Sequence, residues 1–95
     1  MGGAMDEVMD ENWINSFREK LDKHHAWPDL YIFKFIVPAG QEDQVKKLFP
    51  LHTATEKVSK EGKYVSVTIQ AMMHSSDAVV ELYVKAAEIE GIVAL

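Results

Sequence analysis

Four histidines, one pair of adjacent methionines and a single arginine are the side chains whose chemistry would be most specific if the chain brought them together. His24 and His25 are sequence neighbours, so on a helix they point about 100° apart and cannot share an ion. His52 stands alone, and His74 follows Met72 and Met73. No His-x3-His and no histidine with a spaced pair of carboxylates occurs, so no metal and no cofactor is predicted. The methionines are expected to pack rather than ligate. Cysteine is absent, which removes disulfides, thiolate nucleophiles and iron–sulfur ligation together. No nucleophile, base and orienting group can be assembled from this chain, so an enzyme is the weakest expectation.

A second set of groups is arranged by alternation. In "KYVSVTIQA", residues 63–71, Tyr64, Ser66, Thr68 and Gln70 alternate with Val65, Val67, Ile69 and Ala71. This is the period-2 pattern of a strand that buries one face. In "LYIFKFIV", residues 30–37, Lys34 interrupts an apolar run between Pro28 and Pro38. With Lys34 outward, Ile32 and Ile36 share its face and Tyr31, Phe33, Phe35 and Val37 point to the core. The outward faces of the two strands thus combine apolar area, a cation and hydroxyls. Ser66 and Thr68 also simply suit a solvated strand. As a binding surface, the same face would use Lys34 for charge pairing, Tyr64 for stacking, and Ser66 and Thr68 for hydrogen bonds.

The elements that position these residues follow from patterning. "MGGAMDEVMDE", residues 1–11, carries Asp6, Glu7, Asp10 and Glu11 and no base, and is expected to be a disordered acidic leader. Residues 12–27 place Trp13, Phe17 and Leu21 at i, i+4 and i+8, an amphipathic helix capped by Asp10 or Asn12 and stopped at Trp27-Pro28. That stripe is a candidate assembly surface, packing across the sheet face or against another copy. Residues 41–49 read as a short helix with Val45, Leu48 and Phe49 on one side and Glu42 and Asp43 at its start. Two alternating runs meet at Glu61-Gly62, where a two-residue turn would set Val58 opposite Val65 and Lys57 opposite Ser66, and a bulged turn would shift that pairing by one. The last helix buries Val79, Leu82, Tyr83, Ala86 and Ile89, with Ser75 or Ser76 at its start and Gly91 at its end. "IVAL" closes as a short strand.

After the leading helix the order is β-α-β-β-α-β. That order predicts an α+β, ferredoxin-like two-layer sandwich over residues 28–95, with two helices on one face of a four-stranded antiparallel sheet. Acylphosphatases share this fold, but their chemistry needs an arginine-bearing phosphate loop after the first strand. Here "VPAGQED" has none, and Arg18 lies elsewhere.

Three stretches carry a family resemblance: "FKFIV", "GKYVSVTIQA" and "VVELYVKAAEIEGIVAL". Over residues 30–95 the chain resembles the small bacterial YbeD-like proteins, a family of unassigned function. The most specific part is the aromatic-x-Ser-Val-Thr strand, Tyr64 to Thr68, followed by Leu82-Tyr83 and a C-terminal Val-x-Leu. The resemblance implies a ferredoxin-like fold similar to ACT regulatory domains, and hence a regulatory role. "VPAGQED" and the Trp13–Leu21 helix depart from the family's pattern.

Composition bounds the partners. An apolar share of 47% with 26% charged residues fits one small folded domain. The formal charge is −5, of which residues 12–95 hold only −1, so no positive excess favours nucleic acid. RNA binding through the sheet face, with Tyr64 as its one aromatic, is a minor reading. No apolar run spans a membrane and no signal sequence is apparent, so a cytoplasmic protein is expected. The combined expectation is a small non-enzymatic regulatory domain that binds a small molecule or partner protein through the open sheet face or a sheet edge. The alternative is a homo-oligomeric adaptor using the leading helix.

Overall fold

The computed structural model describes residues 11–95, so the leader expected over residues 1–11 lies, except for Glu11, outside the described residues. Helix α1 spans Glu11–His24 and strand β1 spans Asp29–Pro38. Helix α2 (Glu42–Lys47) leads to β2 (Ala54–Val58) and β3 (Tyr64–Met73). Helix α3 (Ser76–Ala86) and β4 (Val93–Ala94) complete the chain. The four strands form one sheet in the order β2-β3-β1-β4, with every neighbouring pair antiparallel. This is the ferredoxin-like arrangement with an additional N-terminal helix.

The alternation read from the sequence sets which face is buried. Phe33, Phe35 and Val37 on β1, and Val65, Val67, Ile69 and Ala71 on β3, turn toward the helices and are buried. A full side chain of this kind stabilises the fold by roughly 1.5–3 kcal/mol when removed from water. β1 and β3 pair along their whole lengths, from Asp29 opposite Met73 to Pro38 opposite Tyr64. Val45 and Phe49 cover the sheet from α2 and its exit, and Val79, Val80, Tyr83 and Ala86 cover it from α3. The Ser75 hydroxyl caps α3 by accepting from the Ala78 N–H at 3.1 Å.

Three expectations for the leading helix need correction. The leading helix ends at His24 rather than Trp27, and Asn12 lies inside it instead of capping it. Its stripe packs in the helical layer against α3, not across the open sheet face. Leu21 enters the common core, Phe17 meets the Tyr83 ring edge-on at 5.3 Å, and Arg18 Nε donates to Asp77 Oδ1 at 2.6 Å. Beyond the helix, the Trp27 indole N–H donates to Asp22 at 3.0 Å and His25 donates through Nδ1 to Asp29 at 2.8 Å, tying the linker to both elements.

Gly91 does not end the last helix, because α3 stops at Ala86. The glycine sits at φ +76°, and a Cβ there would lie 2.7 Å from Pro38 Cγ. Its role is to let the returning chain pass Pro38 so that β4 can pair with β1 at Phe35 and Ile36. The hairpin between β2 and β3 keeps the pairing of the two-residue turn, Val58 opposite Val65 and Lys57 opposite Ser66. Its loop is wider, however. The Ser59 N–H donates to the Tyr64 carbonyl at 2.8 Å and the Gly62 N–H to the Ser59 carbonyl at 2.9 Å, with Gly62 at φ +76°.

Candidate functional site

The face of the sheet away from the helices is built in cross-strand rows. Leu30 pairs with Met72, Ile32 with Gln70, Lys34 with Thr68, Ile36 with Ser66 and Pro38 with Tyr64. Rows continue outward to Thr55 beside Thr68, Lys57 beside Ser66 and Val93 beside Ile36. Directly opposed side chains lie roughly 4.5–5.5 Å apart at Cβ, so each row is a contiguous strip. Leu30, Ile32, Tyr64 and Met72 each keep about half of their surface exposed, and Val93 and Leu95 are exposed as well. No element of the described chain covers this face.

The four residues read from the sequence as a binding surface, Lys34, Tyr64, Ser66 and Thr68, all stand on it, whereas Trp13, Phe17 and Leu21 belong to α1 on the other side. Lys34 and Thr68 face each other across β1 and β3. Tyr64 and Ser66 lie in the two rows nearest the hairpin, where they line a shallow depression of about 370 Å³. Lys34 and Thr68 do not enter that depression. Its remaining walls are Ile36, Lys57, Val58, Ser59 and Lys60. Lys57 was legible as the cross-strand neighbour of Ser66, but its place in a concavity depends on how the wide hairpin loop folds back. Ser59 and Lys60 carried no signal in a linear reading, since turn residues of these types are ordinary solvated groups.

Hydrogen bonding decides which polar groups are available. The Ser66 hydroxyl donates to the Lys57 carbonyl at 3.4 Å, a long bond. The Ser59 hydroxyl accepts from the Tyr64 N–H at 3.1 Å, which leaves its own proton free to donate outward. No histidine or carboxylate lines the depression.

The two layers differ in their acidic groups. On the helical side Arg18 pairs with Asp77, Lys46 with Asp43 and Glu56, and Lys85 with Glu81, while Lys20, Lys23 and Lys47 have no ion-pair partner among the described residues. The Lys46 ammonium is held above its ordinary pKa chiefly by its hydrogen bond to Glu56. On the open side Lys34, Lys57 and Lys60 have no ion-pair partner among the described residues. No carboxylate side chain occupies an outward position of the four strands.

Other titrating groups belong to the helical layer and its linker. Asp29 is held below the usual carboxylate range chiefly by the hydrogen bond from His25, then by the Leu30 N–H. Asp22 is lowered chiefly by the bond from Trp27, then by Ser76. Burial pushes the Tyr83 phenol up, with its 3.1 Å hydrogen bond to Tyr31 adding to the shift. Among the described residues no three histidine or acidic side chains come together as a metal site. No described helix is long and apolar enough to cross a membrane.

The chain was compared with known proteins. A family described as "Protein of unknown function (DUF493)" matches residues 22–95. A "UPF0250 protein" of Shewanella amazonensis (strain ATCC BAA-1098 / SB2B) is 33% identical over 78 residues, covering 75% of this chain and 89% of that protein. Among solved structures, none matches. The family match takes in both central strands, the hairpin, α3 and β4, the same segments that carry the YbeD-like motifs. On these grounds the chain belongs to the DUF493 family, small proteins whose function is unknown.

Proposed function

We propose that this chain is a small non-enzymatic binding domain of regulatory type, engaging a small molecule or a partner protein through its open sheet face. The observation that carries the reading is the composition of the open face. Lys34, Lys57 and Lys60 stand beside exposed Leu30, Ile32, Met72 and Tyr64, and no outward strand position carries a carboxylate. A face combining apolar area with uncompensated positive charge is suited to a partner that is apolar and negative. The ACT-like resemblance of the strands supports the regulatory part of this reading. The non-enzymatic part is supported by the lining around Ser59 and Ser66, which brings no histidine or carboxylate to activate either hydroxyl.

The adaptor alternative, in which Trp13, Phe17 and Leu21 assemble copies, has less support, because Leu21 is inside this chain's own core and Phe17 packs on Tyr83. The test is an amide-spectrum titration of the full chain against a panel of amino acids, short carboxylates and nucleotides. Perturbations are expected at outward positions of β1 and β3, and Lys34→Ala with Thr68→Ala should weaken them while leaving the fold intact. Perturbations confined to α1 and α3 would sink the reading, and none with any compound would remove its small-molecule form and leave the partner protein.

A further inference from the structure

The depression beside the hairpin has a composition that selects a ligand more narrowly than the face as a whole. Ile36, Val58 and the Tyr64 ring give it apolar walls, and Val58 and Tyr64 are more than half and about half exposed. Lys57 and Lys60 also line it, neither with an ion-pair partner among the described residues. The Ser59 O–H remains available as a donor, because its oxygen already accepts from the Tyr64 N–H. A volume of about 370 Å³ lies at the low end of the range for small-molecule sites.

We propose that this depression binds a small organic monoanion, a carboxylate with an apolar body. The carboxylate would lie between the Lys57 and Lys60 ammonium groups and accept from the Ser59 hydroxyl, and the body would cover Ile36, Val58 and Tyr64. Two flexible point charges and one hydroxyl suit a single carboxylate better than a phosphate, which is commonly gripped by arginine forks or by consecutive backbone N–H groups. The Ser66 hydroxyl turns to the Lys57 carbonyl and holds that strand position rather than contacting the head group. The inference rests on the open-face reading above and names its ligand class.

The test uses the full chain and 3-phenylpropanoate as probe, followed by amide spectra. Neutral 3-phenylpropan-1-ol supplies the same body without the charge, and acetate supplies the head alone. Saturable shifts over residues 57–66 are expected with the phenylpropanoate at millimolar concentration, an affinity fitting a shallow site. Binding of the alcohol should be weaker by about tenfold or more, and salt should weaken the acid's binding by screening the exposed lysines. The Lys57→Gln, Lys60→Gln double variant changes only exposed side chains and should also lose about tenfold, with the spectrum elsewhere unchanged.

Equal binding of acid and alcohol would overturn the proposal, as would no response up to about 10 mM. Shifts gathered instead at Leu30, Ile32 and Met72 would overturn this site but leave the open-face reading standing. Shifts that follow protein concentration without probe would mean that a second copy occupies the depression, and would overturn it as well. Shifts confined to the helical layer would remove both readings.

Discussion

Tyr83 is the residue on which most of the helical layer converges. Its ring meets Phe17, Tyr31, Phe33 and Phe35, with centroids 5.3–6.3 Å away, and its hydroxyl shares a hydrogen bond with Tyr31. Burial keeps its phenol neutral well past the usual titration point, whereas in the unfolded chain it ionises near the ordinary tyrosine value of 10.0. The unfolded state therefore releases a proton that the folded state retains. This contribution is fully present below pH about 10 and declines as the pH rises above it. Tyr83→Phe should cost about 0.5–1.5 kcal/mol at neutral pH through the lost hydrogen bond. The gap between the two proteins should narrow in the alkaline range, as read by urea unfolding at about pH 8 and about pH 11. A gap that stays constant or widens with pH would show that the phenol ionises in the fold at least as readily as in the unfolded chain.

At the scale of elements, α1 is the piece whose role changed most between sequence and structure. A stripe of three apolar residues at i, i+4 and i+8 is equally suited to a neighbouring copy and to the chain's own core. The deciding feature is the groove beside α3, which takes Leu21 to within 5% of full burial and holds Arg18 against Asp77. Leu21→Ala is therefore expected to cost about 2–5 kcal/mol, the range for emptying a packed leucine site. Lys34→Ala and Thr68→Ala stand on the solvent side of the sheet and should each stay within about 0.5 kcal/mol. Thermal or denaturant melts of the three variants check the contrast. If the lysine and threonine changes cost as much as the leucine change, the strand register is wrong.

For the whole molecule, the two layers divide the work. The helical layer supplies the core and carries the lysine and arginine ion pairs of the described residues, and the open layer is left with apolar rows and lysines but no outward carboxylate. A chain shortened to begin at Trp27 would lose Leu21 from the core and uncover Tyr83 and its aromatic neighbours. It is expected to melt at a clearly lower temperature and to show an increased mass by light scattering, because the uncovered surface would associate. An unchanged melting temperature and an unchanged mass would mean that α1 contributes nothing to the fold.

The sequence by itself determined the order of elements and the inward and outward faces of β1 and β3, and it narrowed the hairpin pairing to two registers, of which the structure takes the one with Val58 opposite Val65. Period-2 alternation, a lone lysine in an apolar run and a turn glycine are local signals, and each fixes its consequence within a few residues. The YbeD-like strand motif likewise led to the family, since it is contiguous. Only the tertiary structure decided where α1 packs, why Gly91 must be small and which lysines lack carboxylates. Each of these depends on contacts between distant positions: Leu21 and Phe17 with α3, Gly91 with Pro38, and Lys46 with Glu56. The depression is of the same kind, since Lys57, Lys60 and Tyr64 become one concave surface only when the hairpin loop folds beside Ile36 of β1. Patterning reports which face a side chain takes, but concavity and charge pairing arise from the distances between faces, which a linear pattern does not encode.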